Sequence, residues 1–307
     1  MSISSFARRA VRWSLVRLAL GLLLLLVAVI LRDVLMGVLA ATLSLGANTP
    51  ELYLARHRVP ESVTATTALF SVAGFVTMAS LAGGAYALHA MRIERRKPSE
   101  LSAHGAGAEL VAGIAIGVGL VVLAVGILAV GGDAHLVERN PWLPVVPGIA
   151  RAATAAWMEE LALRGLLFRI VEEKLGTWLA LLFSAMLFGA LHWSNPNASW
   201  ISTAAIAVSG GVLLGLAYVL TRRLWLAIGL HFGWNATQAA LGLAVSGQAA
   251  PGVVTTRITG HTPLTGGAFG IEASIIVVIL AITVAAIFVR RAARRGQIAP
   301  PGWRRTA

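Results

Sequence analysis

Four ionisable residues, Glu159, Glu160, His192 and His231, lie inside otherwise apolar stretches of this chain. An ionisable side chain at membrane depth is expensive to keep there, which marks it as a candidate for function. In the run Glu159-Glu160-Leu161-Ala162-Leu163-Arg164 a helix puts residues i and i+4 on one face and turns adjacent residues apart. Glu160 and Arg164 are therefore expected to pair, with the glutamate on the favourable N-terminal side, since a buried arginine needs a partner. Glu159 stays outside that pair, free to act as a general base. Phe188-xxx-His192 and His231-xxx-Asn235 each set two side chains on one face, a helical turn apart. A neutral imidazole orients water or ligates a metal, and the Asn235 amide can donate to a developing oxyanion. Base, water-orienting groups and oxyanion donor together make the parts of a peptide hydrolase that needs no covalent nucleophile. A second reading uses the same residues only to hold a helix bundle together.

The elements that must carry these groups are membrane helices. The 307 residues are 57% hydrophobic and 12% charged, with mean hydropathy +0.80, and soluble domains carry about twice that charged fraction. Apolar runs reach the length a helix needs to cross a bilayer, and backbone groups in lipid must be satisfied within their own segment. The expected fold class is all-α, a polytopic bundle with eight spans at roughly 18–41, 63–90, 108–131, 150–171, 177–193, 199–220, 224–246 and 271–290. Arg32 and Asp33 interrupt the first span, which either continues or ends near Leu31 with 34–46 at the interface; as sequence neighbours the two do not face each other as a pair. The arginines before it resemble a signal-peptide start, but the apolar run extends to about Leu45, so an uncleaved first helix is expected. Gly113 with Gly117, and Gly211 with Gly215, allow close helix packing.

The net charge of +12 and pI near 11.6 would suggest nucleic acid in a soluble protein. Here the basic residues stand at segment ends, and no nucleic-acid partner is expected. With the N-terminus inside, 18 of the 25 basic residues fall on inner flanks and about five outside, so both termini are expected in the cytoplasm. Residues 1–100 read as N-terminal membrane helices with a charged linker, 101–292 as a catalytic core, and 293–307 as a basic tail. Ser246–Gly270 reads as an external loop. His57, His89, His104, His135 and His261 read as interfacial, and Glu172 and Glu173 as solvated beside Lys174. There is no cysteine, which excludes disulfides, thiolate ligands and a cysteine nucleophile.

The three motifs, Glu159-Glu160-xxx-Arg164, Phe188-xxx-His192 and His231-xxx-Asn235, resemble those of the CAAX-protease and bacteriocin-processing family of intramembrane endopeptidases, which includes the type II CAAX prenyl endopeptidases. The resemblance covers residues 148–246 and implies an eight-helix core around a conical cavity. By that resemblance Glu159, helped by His192, activates water; His231 and Asn235 stabilise the oxyanion; Glu160 and Arg164 support them. It also implies a peptide or protein substrate, CAAX-like or otherwise membrane-anchored, and a bacterial plasma-membrane location. Whether such an enzyme is glutamic or a zinc metalloprotease stays open, because two histidines and a glutamate can bind zinc but no His-Glu-xx-His spacing occurs. On helix rise alone Glu159 falls near mid-membrane, His192 near the outer end of its span and His231 nearer the inner end of its own. They can meet only through tilt, stagger or a short fifth helix broken before Asn195-Pro196-Asn197. Two other classes use such residues: an ion- or proton-coupled transporter, and a non-catalytic immunity or scaffold protein.

Overall fold

The computed structural model describes residues 3–42, 63–249 and 251–302. His57, read above as interfacial, and Arg304 and Arg305 of the basic tail lie outside the described residues. All eight expected segments fall on helices: α1 (Ile3–Thr42), α2 (Ala65–Leu88), α3 (Ala106–Val130), α4 (Val146–Glu160), α5 (Arg169–Leu191), α6 (Trp200–Ile206) running on into α7 (Leu213–Thr221), α8 (Trp225–Ala240) and α10 (Ile275–Arg294), with α9 a single turn at Thr262–Thr265. π-helical turns at Leu161–Phe168 and Ala207–Val212 join α4 to α5 and α6 to α7. Six helical runs are long and apolar enough to cross a membrane by length and composition. One of them, Leu143–Leu191, contains two expected spans. It is bent at Gly176, whose φ of 77° and ψ of 172° are not helical. A Cβ there would meet the Pro301 nitrogen at 2.7 Å, so glycine answers both the backbone angle and the crowding. Arg164 and Phe188, each twelve residues from Gly176, lie with the guanidinium carbon 4.8 Å from the ring centroid, so the run folds back as a hairpin. The other short span, α8, has 16 residues, about 24 Å of helix.

Apolar side chains stay exposed along the outer helices, among them Leu26 and Ile30 of α1, Val76 of α2, Val122 of α3 and Ile282 of α10. A soluble monomer rarely leaves so extended a surface uncovered; here it faces lipid. Tryptophans rim the bundle at both ends, Trp13 and Trp178 at one, Trp142, Trp193 and Trp200 at the other, where amphipathic rings meet headgroups.

At the centre α3 and α8 touch backbone to backbone. A Cβ on Gly113 would lie 2.4 Å from the Leu226 carbonyl oxygen, and one on Gly117 2.3 Å from that of Leu230. Reciprocally, Gly229 meets Leu110 O at 2.3 Å and Gly233 meets Ile114 O at 2.6 Å. Gly211 and Gly215 likewise seat Ala185 and Leu181. Small residues at this spacing let helices approach where lipid offers no hydrophobic drive.

Four sequence expectations change. The external segments are not all loop: β1 (Ala134–Arg139) pairs antiparallel with β2 (Val254–Ile258), Ala134 opposite Ile258. α1 runs unbroken past Arg32 and Asp33, which do pair, Arg32 Nη1 to Asp33 Oδ1 at 2.8 Å; long side chains can bend toward each other although their Cβ vectors diverge. His89 is fully buried, its Nε2 2.8 Å from the Arg17 carbonyl. Glu172 is buried too, receiving hydrogen bonds from Thr177 and Arg222.

Turns sort to two ends. At one end Arg17, Arg96 and Arg169 surround Glu94, Arg222 meets Glu172, and Arg223 meets Glu109. At the other lie the β1–β2 pair and the loops at 192–199, 241–248 and 262–274, where Asn197 donates to the Ala268 carbonyl and Gly247 to that of Phe269.

Candidate active site

The hairpin settles the depth problem. Glu159 lies 17 residues before Gly176 and His192 16 residues after it, so the two limbs bring them level. The returning limb stops at Leu191 and the chain turns through Trp193–Asn197, well below the start of α4. The fifth span is therefore the short one. A cavity of about 220 Å³ opens between these limbs and α8, and Glu159, His192, His231 and Asn235 all line it. It continues toward the loop end of the bundle, past Gly148, Asn195, Ser246 and Gln248.

Glu160 faces away from this cavity and is wholly buried. Its Oε1 accepts from Arg164 Nη1 at 2.9 Å and from His231 Nδ1 at 3.0 Å. Arg164, also wholly buried, donates through Nη2 to the carbonyls of Gly210 and Gly211 at 3.2 and 3.1 Å and stacks over Phe188. Donor and acceptors both sit in π-helical turns, a local widening of the helix that recurs at functional sites. The expected pairing of Glu160 with Arg164 is thus present and reaches further, joining α4, α6–α7 and α8 through one anion and one cation.

This network orients His231. With Nδ1 on Glu160, its Nε2 points to the cavity, 3.9 Å from Glu159 Oε2. That Glu159 oxygen is shielded and accepts no hydrogen bond from any described residue, whereas the side chain as a whole is one-third exposed. His192 places Nδ1 2.7 Å from the Phe188 carbonyl and stacks on the Phe188 ring at 4.8 Å. A carbonyl only accepts, so Nδ1 carries the proton and Nε2 keeps its lone pair. Phe188 also meets His231 edge-on at 6.0 Å; one aromatic ring thus supports both imidazoles.

Among the described residues no group of three or more His, Asp or Glu side chains is gathered so as to hold a metal ion, and Glu160 already serves Arg164 and His231.

Sequence reasoning missed two groups. Arg151 lines the cavity, yet in sequence it is one basic residue at the edge of an apolar run. Glu272 is buried and accepts from Trp234 Nε1, Gln238 Nε2 and the Ser246 backbone at 2.9, 3.2 and 2.5 Å, fixing the C-terminal end of α8 beside Asn235. Its carboxylate stands at the start of the expected span 271–290, with no motif around it.

No curated protein and no solved structure matches the chain. Residues 141–237, which hold all three motifs and the π-helical turns at 161–168 and 207–212, match the family model described as Type II CAAX prenyl endopeptidase Rce1-like, so this integral membrane protein carries an Rce1-like domain, consistent with the CAAX-protease and bacteriocin-processing family and its CAAX-type intramembrane endopeptidases.

Proposed function

We propose that the chain hydrolyses a peptide bond by glutamate-activated water, with Glu159 as the base. The observation that carries this reading is the convergence of Glu159, His192, His231 and Asn235 on one cavity from three separate helical limbs. Water donates one hydrogen to the Glu159 carboxylate on its cavity side and the other to the His192 Nε2 lone pair. The oxygen then attacks the substrate carbonyl carbon as its proton passes to Glu159. The oxyanion lies against the His231 Nε2–H, when that ring carries both protons, and the Asn235 amide. Collapse of the intermediate breaks the C–N bond, and Glu159 returns its proton to the leaving nitrogen. Glu160 and Arg164 touch no reacting atom; they position His231.

The substrate is a peptide or protein segment, CAAX-like or otherwise membrane-associated, that enters in extended form. The test is cleavage of a prenylated CAAX peptide by the purified protein in proteoliposomes. Glu159→Gln lowers kcat by at least about 100-fold, the low end for loss of a general base, while helicity and thermal midpoint hold. Full activity in that variant sinks the reading.

A further inference from the structure

Among the described residues, the arginines that are not exposed are matched, with one exception. Arg17, Arg96, Arg164, Arg169, Arg222 and Arg223 each sit within 4 Å of a carboxylate. Arg151, half-buried in the cavity wall, is in no ion pair among the described residues. Its hydrogen bond, Nη1 to Gln248 Oε1, is 3.5 Å long, at the limit of what counts as one. A guanidinium facing a confined, partly desolvated cavity without a counter-ion is stabilised when a ligand brings one.

We propose that Arg151 receives the free C-terminal carboxylate of the peptide substrate and so sets how far from the chain end the cut is made. This rests on the hydrolase reading above. Arg151 precedes Glu159 by eight residues on the same helix, about 12 Å at 1.5 Å per residue. An extended peptide covers about 3.3–3.6 Å per residue, so a carboxylate held at Arg151 puts the bond three or four residues upstream beside Glu159. The wall between them is Ala152 and Ala155, small side chains that leave room for a strand. The anion is a carboxylate and not a phosphate: Arg151 is the one guanidinium in the cavity lining, no lysine lines it, and the neutral Gln248 and Ser246 beside it suit a single negative charge and the last peptide group.

The test uses the full-length protein in proteoliposomes and a quenched-fluorescent prenylated CAAX peptide, made as the free acid, as the C-terminal amide, and as an amide with aspartate as its last residue. The wild-type protein is expected to favour the free acid at least tenfold in kcat/KM, chiefly through KM. Arg151→Gln loses that preference by weakening the acid alone, and Arg151→Lys restores part of it. Equal cleavage of acid and amide by wild-type protein overturns the proposal and leaves the hydrolase reading standing. An aspartyl amide cleaved as well as the free acid overturns the terminal carboxylate in favour of a side chain. Wild-type protein that cleaves none of the three overturns both.

Discussion

Glu159 and Glu160 are adjacent in sequence and opposite in consequence. Glu160 is enclosed with Arg164 and shares its oxygen with His231, so Glu160→Gln leaves a buried guanidinium without its counter-charge. Losing one member of a buried pair costs about 3–5 kcal/mol, and the variant is expected to melt well below wild type in detergent. Glu159 is partly exposed, and its shielded oxygen accepts no hydrogen bond from any described residue; Glu159→Gln is expected to melt within about 0.5 kcal/mol of wild type. Replacing Glu160 by Gln and Arg164 by Met together removes both charges and should be milder than Glu160→Gln alone. A double variant as unstable as the sum of the single ones would show that the two charges do not interact. Calorimetry or a fluorescence melt on wild type, Glu160→Gln, Arg164→Met and the double variant decides it, and activity assays on these and on Glu159→Gln separate a lost base from a lost fold.

At the scale of elements, the contact of α3 with α8 holds His231 and Asn235 at their depth, and it depends on four glycines. Gly117→Ala places a methyl group 2.3 Å from the Leu230 carbonyl oxygen, backbone that cannot rotate away. The helices must part, at a cost of about 1–3 kcal/mol. Gly119→Ala on the same helix meets nothing within 4 Å and should gain up to about 1 kcal/mol from helix propensity. Opposite shifts of the thermal midpoint are expected, and equal shifts would deny the close approach. The glycine pair on α3 was readable from the sequence, as were the eight segments and the Glu160–Arg164 pair, because hydropathy and i,i+4 spacing are local. The Gly176 hairpin that levels Glu159 with His192 was not, because its register depends on where a single glycine reverses a long apolar run. Nor was the β1–β2 pairing, whose strands lie some 120 residues apart. Burial of His89 and Glu172 was hidden for another reason: sequence patterns here distinguish lipid from water, not lipid from protein interior.

For the molecule as a whole, charge divides the two ends. At the arginine-rich end burial pushes the Glu94 carboxyl up, but the hydrogen bonds and charges of Arg169 and Arg96 outweigh it and hold Glu94 below the usual carboxylate range. A group so depressed adds stability above its unfolded pKa and loses it as pH falls through the folded value. Acid should therefore loosen this end, and Glu94→Gln should flatten the acid limb of a stability–pH profile. The cavity lies toward the opposite end, past Gly148, Asn195 and Gln248. We propose that the excess of Lys and Arg around Glu94 and in the last turn of α10 sets that end in the cytoplasm, by the rule that governs short loops. On that proposal the cavity mouth faces the outside, and substrate would reach Glu159 from there or from the outer leaflet. The chain has no cysteine, so single cysteines report cleanly. Leu136 on β1 is 69% exposed at the cavity end, and Lys97 is exposed at the other. In intact cells a membrane-impermeant maleimide should modify Leu136→Cys, and reach Lys97→Cys only after the membrane is opened. The reverse pattern would turn the bundle over, make the cavity cytoplasmic, and show that the arginine end is retained for its carboxylate partners and not for orientation.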